Sequence, residues 1–278
     1  MMTIRHLLTS LALCTLIVAS PRLHAQLLPP NDVGVTMGHI HLLAHDVDAM
    51  REFWVKLGGT SLQSGRLIEF PGVYIMVSQG EPTAGTAGSI INHIGFKLKN
   101  MATAHAKWAA AGLTTEKGSN YFVAPGGVRI EMNEDATIAH PMEFYHVHMW
   151  VDKPQEVQAW YHKMFGAVSS ERPTGNLFMY VGDVPGANLT FSDVMRMGPP
   201  AGIYPPLAGT KGRALDHIGF EVKNLEAYCK KLEELGIKFN RSYQKVTNAT
   251  GSPTAVAFVT DPWGTYIELT ENLAPASK

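Results

Sequence analysis

Four histidines, His39, His93, His146 and His217, recur at one position in four apolar segments, MGHIHLLA, INHIGFKL, FYHVHMWV and LDHIGFEV. Two carboxylates, Glu131 in GGVRIEMNE and Glu268 in GTYIELTE, recur in the same way. Neutral imidazole nitrogens and a carboxylate oxygen are the ligand set of the 2-His-1-carboxylate face, which leaves several metal positions open to water or substrate. A lone histidine in a strand is ordinarily a core or rim residue. Recurrence at matched positions, joined each time by a carboxylate, is what points to coordination. The second-half set is His146, His217 and Glu268, and the first-half set is His39, His93 and Glu131. Fe(II) is the favoured ion for such a set, with Mn(II), Zn(II) or Ni(II) also suited.

The elements that must carry these residues repeat four times. Each histidine strand is followed by a short polar residue (Asp46, Asn100, Asp152, Asn224), an amphipathic stretch and a glycine (Gly58, Gly112, Gly166, Gly236). A short polar side chain satisfies free N–H groups where a helix starts, and glycine takes the left-handed conformation where it stops. After each glycine come short segments bounded by Gly, Pro, Asn and Asp, such as LIEF with VYIMVS and TAVAFVTD with TYIELTE, which read as strands. The module is therefore a strand, a helix and two or three strands. One such module cannot bury both faces of its sheet, so modules should pair and curl around a concave interior. Strand alternation sends Ile218, Phe220 and Val222 beneath the helix and His217 into that interior. Sequential repeats tend to be neighbours, so modules one and two, and three and four, are expected to pair.

Composition narrows the rest. Residues 1–25 carry Arg5 and His6, an apolar run from Leu7 to Ala19 and the ending SPRLHA, the layout of a signal peptide cleaved before Gln26. The run is shorter than the ~20 residues of a spanning helix. A secreted or periplasmic chain is expected, with no membrane segment after cleavage. Cys229 is then the one cysteine left, so the fold rests on packing, and that thiol should be buried and inert. A net charge of -1 with no dense basic run gives no footprint for nucleic acid. A small molecule is the expected partner, and a homo-oligomer is compatible with the sequence. Residues 26–36 read as a lead-in linker, and residues 195–213 and 240–254 as loops of the kind that often serve function.

The modules resemble those of the vicinal oxygen chelate superfamily, which includes glyoxalase I, bleomycin resistance proteins and extradiol dioxygenases. FVTDPWGTYIELTE, from Phe258 to Glu271, is similar to the family's strand, Asp-Pro turn and carboxylate-bearing strand. The resemblance implies an α+β fold of two tandem domains, residues 37–139 and 140–278, each made of two paired modules forming a cupped sheet. It implies a metal-dependent enzyme whose substrate chelates the ion through neighbouring oxygens, with oxygen-dependent ring or C–C cleavage favoured. A glyoxalase-like isomerase or lyase and a non-catalytic binding protein are the alternatives. In the dioxygenase group the first domain is usually degenerate, which gives the second-half set more weight. Where glyoxalase I draws a further ligand from odd modules, this chain offers Met76 and the stretch Leu189, Thr190, Phe191. Where the dioxygenases carry a tyrosine before the Asp-Pro turn, it has Phe258. Tyr266, His148 and Tyr243 are the candidates for proton handling. His41 and His148, two residues beyond their partners on the same faces, could support the ligands or substitute for them, but read first as rim positions.

Overall fold

The computed structural model describes residues 27–62, 65, 67–174, 177–194, 207–247 and 252–273; the leader read over residues 1–25 and most of the first loop lie outside them. The first module is β1 (Val35–Ala44), α1 (Val47–Leu57), β2 (Thr60–Leu62), β3 (Leu67–Phe70) and β4 (Val73–Gln79). The second is β5 (Ile91–Leu98), α2 (Met101–Ala110), β6 (Tyr121–Ala124) and β7 (Val128–Glu134). The third is β8 (Met142–Val151), α3 (Pro154–Phe165), β9 (Val168–Thr174), β10 (Leu177–Val184) and β11 (Ala187–Asp193). The fourth is β12 (Leu215–Val222), α4 (Leu225–Glu234), β13 (Phe239–Thr247), β14 (Pro253–Thr260) and β15 (Tyr266–Glu271).

Helix starts follow the sequence in three modules. The side chains of Asp46, Asn100 and Asn224 accept from the backbone N–H three residues on. The third module departs from this: Lys153 is the N-cap and Pro154 opens α3, so Asp152 does not cap it. Proline lacks the N–H that a cap would satisfy and already holds a helical φ, so the turn starts without a side-chain acceptor. Gly58 and Gly166 end α1 and α3, while Gly112 and Gly236, at φ +77 and +85, follow α2 and α4 in the left-handed region. Residues 240–247, read as loop, belong to strand β13, and Pro253 opens β14. β13 is an edge strand whose side chains are mostly exposed, and so it carries the polar composition of a loop. The 26–36 segment is anchored as well: Asn31 donates to the carbonyl of Phe165 at 2.9 Å and accepts from Val33 and Val35.

Two mixed sheets result, and their composition corrects the expected pairing. One runs β13-β14-β15-β12-β1-β4-β3-β2 and joins module four to module one. The other runs β6-β7-β5-β8-β11-β10-β9 and joins module two to module three. Each sheet thus takes strands from both sides of the 139/140 boundary. Sequential modules are still neighbours, through their outer faces. Phe96 packs on Phe70 and Trp54 at ring separations of 4.9 and 6.1 Å, and the Trp108 indole donates to the Leu57 carbonyl at 2.7 Å. Phe165 packs on Phe220 at 4.7 Å, and the Tyr161 hydroxyl donates to Asp261 at 2.9 Å. These buried aromatic contacts satisfy the preference for adjacency without a shared sheet.

Candidate metal centres

The two seams between modules are antiparallel and alike. β1 meets β12 with His39 opposite Gly219 and His41 opposite His217. β5 meets β8 with Gly95 opposite His146 and His93 opposite His148. Modules one and three contribute His-x-His, and modules two and four contribute His-x-Gly. The glycines are steric necessities: a Cβ on Gly219 would lie 2.0 Å from Cε1 of His39, and one on Gly95 would lie 2.2 Å from Cε1 of His146. Each imidazole fills the space that its partner strand's missing side chain leaves open.

At the outer seam, built by modules one and four, Nε2 of His39 and Nε2 of His217 approach the same Glu268 oxygen, at 2.9 and 3.0 Å. Glu268 reaches them from β15, which runs parallel to β12. His217 is fixed at its other nitrogen by Asp216, 2.5 Å from Nδ1, and Asp216 is held in turn by the Gly212 N–H at 2.6 Å. His41 lies 4.5 Å from the His217 ring and hydrogen-bonds Ser78 at 2.8 Å. His39, His41, His217 and Glu268 offer ligand atoms that all lie within 4.8 Å of one another. Tyr266, 5.6 Å from the His217 ring, stacks on Phe258 at the rim.

The inner seam, built by modules two and three, repeats the plan with different surroundings. Nε2 of His93 and Nε2 of His146 stand 3.5 and 3.4 Å from Oε2 of Glu131. His148, expected beside His217, is here, between His93 at 3.2 Å and Ser192 at 2.8 Å. Its buried place, like the clustering of His41, corrects the reading of both as rim residues. Asn92 takes the place of Asp216, 2.8 Å from Nδ1 of His93. The Tyr121 hydroxyl donates to Oε1 of Glu131 at 2.7 Å, and Asn133 donates to Oε2 at 3.1 Å. Tyr121 occupies the register position that Phe258 holds opposite Glu268.

The sets expected from sequence are thereby regrouped. His39 joins His217 and Glu268; His93 and Glu131 join His146. His146 and His217 lie in different sheets because the strands that carry them do. Tyr243 sits on β13, with β14 between it and the strand of Glu268. Asp216, Asn92, Tyr121 and Ser78 escaped the sequence reading, since no repeat singles them out. The one available signal was Asp or Asn immediately before the histidine in modules four and two. Among positions considered for a further ligand, Met76 stands beside His41 and Thr190 beside His148 in the strand register.

Electrostatics at both seams favour a bound cation. Burial lowers the pKa of His39, His93, His148, His41 and His146, the last two to about 3, and keeps these imidazoles neutral. His217 is the exception: burial opposes its charge, but hydrogen bonds to Asp216 and Glu268 outweigh it and raise the pKa. Burial likewise works against ionised Glu268 and Glu131, yet their histidine partners hold both well below the usual carboxylate range. Nε2 of His146 and Nδ1 of His39 and His41 are buried with no hydrogen-bond partner among the described residues. Both carboxylates are thus held ionised beside imidazoles that burial keeps neutral, His217 apart, an arrangement compatible with a cation. Neighbouring ligands of an octahedral ion held at about 2.1 Å stand about 3.0 Å apart. The 2.9 and 3.0 Å separations at the outer seam match that spacing, so the donor set fits a divalent ion.

Comparison with known proteins follows this geometry. The sequence model of the Glyoxalase/Bleomycin resistance protein/Dioxygenase superfamily matches residues 138–269, from the start of module three into β15. No curated protein matches the chain in sequence. Among solved structures, glyoxalase I from Zea mays superposes with a TM-score of 0.62 at 15% identity, covering 86% of this chain and 92% of that one. A candidate dioxygenase from Bacillus subtilis superposes with a TM-score of 0.60 at 12% identity, covering 86% of each chain. At such identities the likeness establishes the fold. The chain has the α+β fold of the vicinal oxygen chelate superfamily, whose members are often metal-dependent enzymes, and its residues 138–269 match that superfamily's sequence model.

Proposed function

We propose that the protein is a metal-dependent enzyme in which His39, His217 and Glu268 hold a divalent ion, Fe(II) by preference, and that its substrate is a small molecule bearing two neighbouring oxygens. The favoured reaction is oxygen-dependent ring or C–C cleavage. The observation that carries this reading is the convergence of two buried imidazole nitrogens on one Glu268 oxygen, at 2.9 and 3.0 Å. When bound, the ion would supply Lewis acidity toward both substrate oxygens and open positions for dioxygen.

The chain's own residues supply the rest. Asp216 fixes the His217 ring through Nδ1 and so presents Nε2 to the centre. His41 is neutral, hydrogen-bonded to Ser78, and flanks the centre beside the His217 ring. Tyr266, whose pKa burial raises, stays protonated at the rim and can orient a substrate oxygen. Phe258 has no proton to give and lines the wall beside it.

A second reading has its own support. His41 lies among the ligand atoms, and a fourth protein ligand would leave fewer open positions, which suits a Lewis-acid isomerase or lyase. A non-catalytic binder is the third reading. Metal analysis of the purified protein, followed by turnover of catechol-like and α-hydroxycarbonyl substrates in an oxygen electrode, separates them. Oxygen uptake with Fe(II) or Mn(II) supports cleavage. Turnover without uptake, sustained equally by Zn(II) or Ni(II), moves the protein to the isomerase or lyase class, and a metal-free protein that binds ligand without turnover is a binder. We propose further that the chain acts outside the cytoplasm, on the strength of residues 1–25; N-terminal sequencing of the protein from its native host should begin at Gln26.

A further inference from the structure

The two seams share a ligand plan, down to a serine on the second histidine of each His-x-His strand, but differ around the other histidine of each pair and around the carboxylate. At the outer seam Nδ1 of His217 meets a carboxylate, Asp216, and among the described residues the hydrogen-bond partners of Glu268 are His39 and His217. At the inner seam Nδ1 of His93 meets a neutral amide, Asn92, and Glu131 is held by Tyr121 and Asn133. Arg129 lies over the Tyr121 ring, 3.7 Å from its centroid, two residues before Glu131; Tyr266 stands at the matching place before Glu268. The outer seam therefore places two carboxylates around the candidate ion, Glu268 against it and Asp216 behind His217. The inner places one; a cationic side chain stands near each seam, Arg129 at the inner and Lys211, over the Tyr266 ring at 4.6 Å, at the outer. The approach distances follow the same order, 2.9 and 3.0 Å against 3.4 and 3.5 Å.

From this contrast we infer that the protein carries two metal centres of graded affinity, a tight outer one and a weak inner one, and that Asp216 against Asn92 is a main determinant of the ranking. This rests on the proposed metal reading. The physical argument is that a carboxylate on the far nitrogen raises the donor strength of the near one and adds negative charge, whereas an amide only orients the ring. Asp216 and Asn92 are positioning residues: neither contacts the ion, and each acts through its histidine.

Mn(II) added to chelator-stripped full-length protein, with free ion followed by electron paramagnetic resonance, reads both classes without any substrate. The wild-type chain should take up one ion at least ~10-fold more tightly than the second, since losing an outer partner generally weakens a site ~10–100-fold. Asp216→Asn should weaken the tight class by about tenfold or more and leave the weak class unchanged. Asn92→Asp should tighten the weak class, a gain that mere loss of structure cannot produce. Glu268→Ala should delete the tight class and Glu131→Ala the weak one. Two equivalent classes in the wild type, or a tight class that survives Glu268→Ala and disappears with Glu131→Ala, overturns the ranking alone. Failure of the wild type to bind Mn(II), Fe(II) or Zn(II) at all overturns the metal reading and the ranking with it.

Discussion

Gly219→Ala places one methyl group where the architecture has least room for it. Its carbon would stand 2.0, 2.2 and 2.5 Å from Cε1, Nδ1 and Nε2 of His39, against a practical floor of 3.0 Å for such contacts. The ring must therefore retreat by at least 3.0 − 2.0 = 1.0 Å. His39 is 0% exposed, so it has no solvent to retreat into, and overpacking of this kind costs about 1–3 kcal/mol. For a chain of this size each kcal/mol lowers the melting temperature by roughly 2–4 °C. The retreat would also stretch the 2.9 Å approach of His39 to Glu268 toward about 4 Å, beyond any hydrogen bond or shared ligand shell.

The expected result is a folded but less stable protein that has lost the tighter metal class, measured by thermal melting of the metal-free chain together with Mn(II) binding. His39→Ala in the same chain removes the obstacle, so the double variant should be less destabilised than the sum of the two single changes. Gly236→Ala serves as the control: at φ +85 with nothing within 4 Å, it should lower stability by about 1 kcal/mol through backbone strain and leave metal binding intact. Wild-type melting and wild-type metal affinity in Gly219→Ala would refute the claim that glycine is needed there, and with it the account of why His-x-Gly faces His-x-His.

Removal of either carboxylate should separate the two seams, with activity lost on Glu268→Ala and largely kept on Glu131→Ala; the reverse result in steady-state assays would move the catalytic centre to the inner seam. Tyr121→Phe removes the donor 2.7 Å from Glu131 and should cost about 0.5–1.5 kcal/mol in urea unfolding while leaving the outer centre untouched. Glu221, away from both centres, is driven by burial to a pKa of about 7 despite hydrogen bonds from Thr270, Asn272 and Leu273 that work the other way. Because that value lies above the unfolded one, its contribution to stability is full at low pH and is lost as pH rises through about 7. Unfolding free energy should fall over that window by up to about 3 kcal/mol, and Glu221→Gln should flatten the fall; an unchanged profile in the variant would count against the assignment.

Much of this was legible in the chain because each module is punctuated alike. Short polar caps and left-handed glycines are local devices, and they mark helices wherever the backbone obeys them. They failed at Asp152, where a proline two residues on offered another way to start, and at β13, where an exposed edge leaves polar residues free to look like a loop. The candidate ligands were legible for a different reason: a histidine and a glutamate that recur at matched places need not be placed in space to be noticed. Asp216 and Asn92 recur only as a pair of similar shape and unlike charge, and their difference acquires meaning only once each is seen against the second nitrogen of its histidine.

What could not be read was the choice of partner. Either scheme of pairing, one with two and three with four, or one with four and two with three, sets a His-x-His strand against a His-x-Gly strand, so the seam chemistry is blind to the difference. The choice lies in the outer faces, where Trp54, Phe70 and Phe96 join modules one and two, and Phe165 and Phe220 join three and four, across sheets and not within one. Apolar alternation predicts that those rings are buried but not against what. The consequence for the two centres is unequal. Glu131 and His146 come from neighbouring stretches of chain, whereas His39 and Glu268 meet across 229 residues. Long-range contacts are closed at a larger entropic cost and later in folding, so the outer centre, richer in charge, forms only when both ends of the chain are in place.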